Sequence, residues 1–285
     1  VYTELFKVFK DETNFIKNSN FVIIDFNGEY VGDHMISDNK NVYSLSTKDA
    51  SGDKYKISKS AIRSLEILSV LLEATEKTQQ PFLDRSLSNK FIDDPATFNA
   101  NVITSIESTF VDVLTKASKG PGVSFFLEAL NDLSSLINPD AAGVNPAITL
   151  RDQIENNLHL NINSDGYYWN TAAGPIYNNS NTPLYVNYMK TGIDSFSFKT
   201  DELSIIKLKI LLNFYHEIVK GYSNSDHIRP LVGRMFKKFK MLEKVIEIED
   251  DTNGSVTQDK NLSVVSLREA NIEMKKVLPL IICKY

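Results

Sequence analysis

The sequence predicts a helix-dominated α+β fold. Long segments repeat apolar residues every three to four positions, two shorter stretches alternate or carry β-branched and aromatic residues, and 42% of the 285 residues are hydrophobic, enough for a core.

Taken in order, Leu5, Phe6, Phe9 and Phe15 among charged residues predict a short amphipathic helix over 2–17, started at Thr3. Phe21 to Phe26 reads as a strand, Asn27-Gly28 as a hairpin turn and Glu29 to Val31 as the return strand. Further strands at Val42 to Thr47 and Lys54 to Ile57, with a turn at Ser51-Gly52-Asp53, complete an expected antiparallel β meander across 21–57.

From Ser58 to about Thr78 the period turns helical through Ile62, Leu65, Leu68 and Leu72. Pro81 opens a short helix. Asp94-Pro95 is a start signal for a helix marked by Phe98, Val102, Ile106, Phe110, Val113 and Ala117, which the breakers Lys119-Gly120-Pro121-Gly122 end. Ser124 is read as the cap of the next helix, and Asn145-Pro146 as the start of one through Leu158.

Leu158 to Tyr188 changes character: Leu160 and Ile162 alternate with polar residues, Asp165-Gly166 turns the chain, and a mid-chain aromatic β hairpin is expected. Thr200 and Asp201 open a broadly apolar helix closed by Lys220-Gly221. Asp226 to about Ile246 is predicted helical, 249–261 an exposed polar loop, and Ser263 to Leu278 a last helix ended by Pro279. The expected organisation is 1–57 (helix and meander), 58–158 (helical array), 159–200 (aromatic β-rich insertion) and 201–285 (C-terminal helices), or all of these as one domain.

Charge narrows the function classes. Asp and Glu outnumber Lys and Arg 36 to 31, so no global field attracts nucleic acid or an anionic membrane. No apolar run approaches the roughly 18–20 residues that span a bilayer, so the chain is expected to be soluble, without membrane insertion. Cys283 is the only cysteine, which leaves no intramolecular disulfide and no zinc-type cluster. An intracellular or particle location is favoured over secretion. The Asn-x-Ser/Thr triplets at Asn178, Asn253 and Asn261 read as ordinary polar loops. A start at Val1 without Met or signal peptide is read as a processed or trimmed precursor, so upstream residues stay open.

Two features stand out. Arg229, Arg234, Lys237, Lys238, Lys240 and Lys244 form the densest basic patch, on a helix whose other face carries the heptad-spaced Ile228, Val232, Met235, Phe239, Leu242 and Ile246. That basic face is a solvated surface balancing the following acidic run, a phosphate-binding face for RNA or DNA, or a seat for an acidic protein. Tyr167, Tyr168, Trp169, Tyr177, Tyr185 and Tyr188 gather five of the twelve tyrosines and the single tryptophan in one stretch broken by Gly and Pro. Such rings serve internal packing, a protein interface, or a carbohydrate or other small-ligand site.

Catalytic signals are weak. There is no Gly-x-Ser-x-Gly elbow, phosphate-binding glycine loop or metal-ligand spacing. His34 near Asp33 and His216 beside Glu217 are isolated groupings, Asp93-Asp94 reads as helix capping, and Cys283 as a buried or tail thiol. No catalytic residue, metal or cofactor is assigned. The leading expectation is a non-enzymatic structural or interaction protein acting as a subunit of a virion or other multi-subunit particle, with other protein subunits, copies of itself included, as partners. The alternative is a nucleic-acid-associated protein using the 229–244 face, and the third an enzyme with a site dispersed through the fold.

Overall fold

A computed structural model describes residues 2–9, 12–48, 52–116, 121–161, 163, 166–250 and 260–284. Val1, Ser51, Ala117, Lys119-Gly120, Ile162, Asp165, the Asn253 triplet and most of the polar run 249–261 lie outside the described residues.

The chain opens with α1 (Tyr2–Phe9), α2 (Thr13–Asn18), β1 (Phe21–Asp25), β2 (Asn41–Ser46), β3 (Tyr55–Ser58), α3 (Lys59–Ile62) and α4 (Leu65–Leu71). There follow α5 (Gln79–Ser88), α6 (Phe98–Lys116), α7 (Val123–Ser134) and α8 (Pro146–Asn157), then β4 (Leu158–Asn161), β5 (Gly166–Thr171) and β6 (Gly174–Tyr177). A π-helical turn (Tyr185–Met189) leads into α9 (Lys190–Asp194), α10 (Glu202–Lys220) and α11 (Ser225–Val245), and the chain closes with β7 (Ile246–Glu249), β8 (Leu262–Glu269) and α12 (Ile272–Lys284). The fold is helix-dominated α+β, with strands near the N-terminus and buried aromatic clusters.

Two compact units divide the chain, one from 1–75 with 233–285, the other from 76–232. In the first, the N-terminal strands form no antiparallel meander. β1 and β2 flank β8 in a parallel sheet of order β1-β8-β2, with Ile23 opposite Val264 and Tyr43 opposite Val265, and β3 pairs in parallel with β7. The reason lies in β8: Leu262 to Leu267 is buried on both faces, the pattern of a central parallel strand, and its apolar side chains outcompete a local hairpin. The segment expected to be one helix over 263–278 is thus a strand followed by α12.

Asn27-Gly28 does not turn a hairpin either. The Asp25 carboxylate accepts from the backbone N–H groups of Asn27, Gly28, Glu29 and Tyr30 at 2.8–3.2 Å, which uses the donors that a return strand would need. The buried Lys40 ammonium then donates to the carbonyls of Tyr30, Gly32 and Met35 at 2.5–3.0 Å. One carboxylate and one ammonium thereby give the long β1–β2 connection most of its internal hydrogen bonding.

Other predicted boundaries shift for identifiable reasons. The helix expected over 2–17 is two helices, α1 and α2. That expected over 58–78 breaks into α3 and α4, with Glu73 at φ 51° in the turn that follows. Pro279 lies inside α12; Leu278, Ile281 and Ile282 around it are buried, and that burial offsets the lost hydrogen bond. Gly122, at φ 79°, occupies the cap position of α7 that Ser124 was expected to fill.

In the second unit α10 packs against α5, α6 and α7, while α8 lies on α7. Asp201 caps α10 by accepting from the Ser204 N–H at 3.0 Å, and Gly221 ends it in the left-handed region at φ 76°. Asn145 caps α8 through the Ala147 N–H at 3.0 Å, with Pro146 in the first turn. The apolar stripe of α11 is buried at Ile228, Val232, Met235, Phe239 and Leu242; Ile246, also buried, belongs to β7.

Candidate functional site

The aromatic stretch is divided between a sheet and a helical turn. β4, β5 and β6 form an antiparallel sheet in that order, with Leu158 opposite Trp169, His159 opposite Tyr168, and Tyr168 opposite Tyr177. Side chains alternate across a strand, so Tyr167 and Trp169 share one face and Tyr168 takes the other. Tyr185 and Tyr188 lie outside the sheet, in the π-helical turn.

The inner face belongs to the core. Tyr167 is fully buried and meets Phe126 edge-on at 6.0 Å, Trp169 is 7% exposed, and Tyr185 is buried, its phenol pKa raised by desolvation. Tyr188 stacks on Trp169 at 4.8 Å with planes 4° apart. Large rings on this face seal the sheet against the helices.

The outer face carries a row of rings. His159 and Tyr168 lie 5.2 Å apart and Tyr168 and Tyr177 5.4 Å apart, both pairs tilted, with Tyr177 42% exposed. Cross-strand register aligns them, and two adjacent antiparallel pairings extend the row across the three strands. The phenol and imidazole tips leave this strip able to make both apolar contacts and hydrogen bonds.

The basic residues do not gather into one open face. Arg229 pairs with Asp132 at 2.5 Å and donates to the Tyr215 hydroxyl at 3.2 Å, while Tyr215 itself donates to Asp132 at 2.6 Å. Burial, then the adjacent carboxylate, raises the Tyr215 phenol well above its usual range. Arg234 donates to the Leu72 carbonyl at 2.6 Å, and Lys244 to the Thr47 carbonyl at 3.0 Å. Lys238 is 4% exposed between Glu73 at 2.9 Å and Glu273 at 3.1 Å, and Lys237 faces Glu273 at 3.6 Å. Lys240 is exposed. Cations already directed at internal carboxylates and carbonyls have less to offer phosphates.

The remaining titratable groups are scattered. His34 pairs with Asp38 at 3.1 Å on the surface, His216 packs near Tyr222, and Cys283 is exposed. Asp94 accepts from the Ala96 N–H, as a capping carboxylate does, whereas Asp93 pairs with Lys209 at 2.6 Å. Glu217, nearly buried, binds Arg85 at 2.8 Å and accepts from Asn213 and Ser223. Desolvation pushes its pKa up, and the Arg85 and Ser223 hydrogen bonds more than reverse that, leaving it lowered. No group of three or more His, Cys, Asp or Glu side chains could hold a metal ion among the described residues, and no helix there is long and apolar enough to cross a membrane.

Sequence reasoning missed the Arg229–Asp132–Tyr215 and Glu217–Arg85 networks, because the contacts to their carboxylates span 83 to 132 positions and carry no local pattern. The period-two alternation of Tyr167, Tyr168 and Trp169 was the available signal for sorting core rings from outward ones. The chain matches no protein-family model and no curated protein.

Proposed function

We propose that this chain is a non-enzymatic interaction protein, a subunit of a larger assembly, and that the outer face of the β4-β5-β6 sheet is its contact surface. The observation that carries the reading is the His159–Tyr168–Tyr177 row. Its rings point away from the side on which Tyr167 and Trp169 are buried, so packing of the sheet does not account for them. Amphipathic rings with few rotatable bonds lose little entropy when a partner covers them, and so concentrate binding energy.

In this reading 159–200 is the recognising part of the chain, and β5 and β6 work as an aromatic hairpin that presents Tyr168 and Tyr177. The partner is another protein subunit, first of all a second copy of the chain; a virion or similar intracellular particle is the setting that fits. The internal pairing of Arg229, Arg234, Lys238 and Lys244 favours this reading over nucleic-acid binding.

Size-exclusion chromatography with light scattering at low and high salt tests it. The expected result is an oligomer at both salt concentrations, because an aromatic contact is insensitive to screening. Tyr168→Ala should dissociate it while the subunit's melting temperature falls by no more than a few degrees. A monomer at both concentrations, or an oligomer that Tyr168→Ala and Tyr177→Ala leave intact, would overturn the reading.

A further inference from the structure

A second site lies in the same unit, between α6 and α10. A groove of about 310 Å³ is lined there by Phe91, Thr104, Ser105, Ser108, Lys209 and His216, among others. Its volume is at the small end of the roughly 300–1,000 Å³ typical of small-molecule sites, which suits a single ring-sized ligand.

Its chemistry is selective. Lys209 is 6% exposed, and its charge is matched by Asp93 at 2.6 Å, so the groove offers an anion no uncompensated cation. The Ser105 and Ser108 hydroxyls, three positions apart on α6, can each both donate and accept, while Thr104, which donates to the Ala100 carbonyl at 2.9 Å, adds an acceptor. His216 adds the two ring nitrogens of its imidazole. Against these polar groups stands Phe91, an apolar ring left 49% exposed.

An apolar ring beside hydroxyls and an imidazole complements a molecule with an apolar and a hydrogen-bonding aspect. A hexose has one: C–H bonds on the faces of its ring and hydroxyls around the rim. An inorganic anion lacks the apolar face, and a hydrocarbon lacks the hydroxyls. We propose that this groove is a binding site for a neutral hexose ring, with Phe91 stacking on the C–H face and the α6 hydroxyls with His216 meeting the sugar hydroxyls.

The test is saturation-transfer difference NMR on the full chain, with D-galactose, D-glucose, lactose, phosphate and acetate as probes. Saturable transfer to a hexose is expected, with a Kd of about 1 mM. Phe91→Ala and Ser108→Leu should each weaken it by about tenfold or more. Both positions are exposed, so the melting temperature should stay at the parent's value. Transfer to lactose as well as galactose would assign the end of a longer glycan, and transfer to the monosaccharides alone a free sugar. Saturable binding of phosphate or acetate without the sugars, no saturable sugar signal through the millimolar range, or unchanged binding in both variants would overturn the proposal. Because Tyr168 lies outside this groove, Tyr168→Ala should leave sugar binding intact while it removes the oligomer.

Discussion

Trp169 and Tyr188 stack face to face at 4.8 Å with ring planes 4° apart, joining β5 to the π-helical turn that follows it in the chain. Their neighbour Tyr168, one residue from Trp169, stands on the opposite face of the same strand. In the proposed reading, one face of the strand serves stability and the other recognition.

Trp169→Ala should therefore cost about 3–5 kcal/mol, since it empties a buried, stacked position. Tyr168→Ala should cost about 1 kcal/mol or less. Urea denaturation of both variants checks the contrast, and equal losses would place Tyr168 in the core.

Lys238 and Lys240 differ by two positions, yet only Lys238 is buried. Removing its ammonium leaves Glu273 without that partner at 30% side-chain exposure, while Glu73, at 61%, returns to water. The cost of Lys238→Ala should accordingly be about 1–3 kcal/mol, below that of breaking a fully buried pair. Lys240→Ala should stay within about 0.5 kcal/mol. Thermal melts at neutral pH measure both.

Glu217 makes stability depend on acid. Its folded pKa lies below the ordinary 4.5, so the unfolded chain takes up the proton first. Its contribution is complete above pH 4.5 and is lost as pH falls through the folded pKa. Glu217→Gln should lower stability at pH 7 and flatten the decline below that point. Denaturation midpoints from pH 7 to pH 3 would show it, and an unchanged acid slope would mean that Glu217 does not carry the effect.

Asp25 should control order in the β1–β2 connection. Its own pKa is lowered: desolvation opposes, but the N–H groups of Tyr30, Glu29, Gly28 and Asn27 together outweigh it. Asp25→Ala frees those donors and should cost about 1–3 kcal/mol. Amide hydrogen exchange at Asn27 to Tyr30 should accelerate in the variant far more than exchange in β8.

What the sequence determined by itself was local. Asp201 and Gly221 bound α10, Asn145-Pro146 starts α8, and the spacing from Ile228 to Leu242 marks a buried stripe, because capping and periodicity act within a few residues. The stretches at 21, 41 and 55 declared themselves as strands through β-branched and aromatic residues. Their partners did not. β1 pairs with a strand some 240 positions away, in register Phe21 to Leu262, and nothing within either segment encodes that choice. Tertiary burial decided it, turning Ser263 to Leu267 from the start of an expected helix into the centre of a parallel sheet. The same division holds at the candidate site. Alternation in Tyr167-Tyr168-Trp169 sets the rings on two faces, but only the helices beneath, through Phe126 against Tyr167, decide which face is core and leave Tyr168 and Tyr177 on the other.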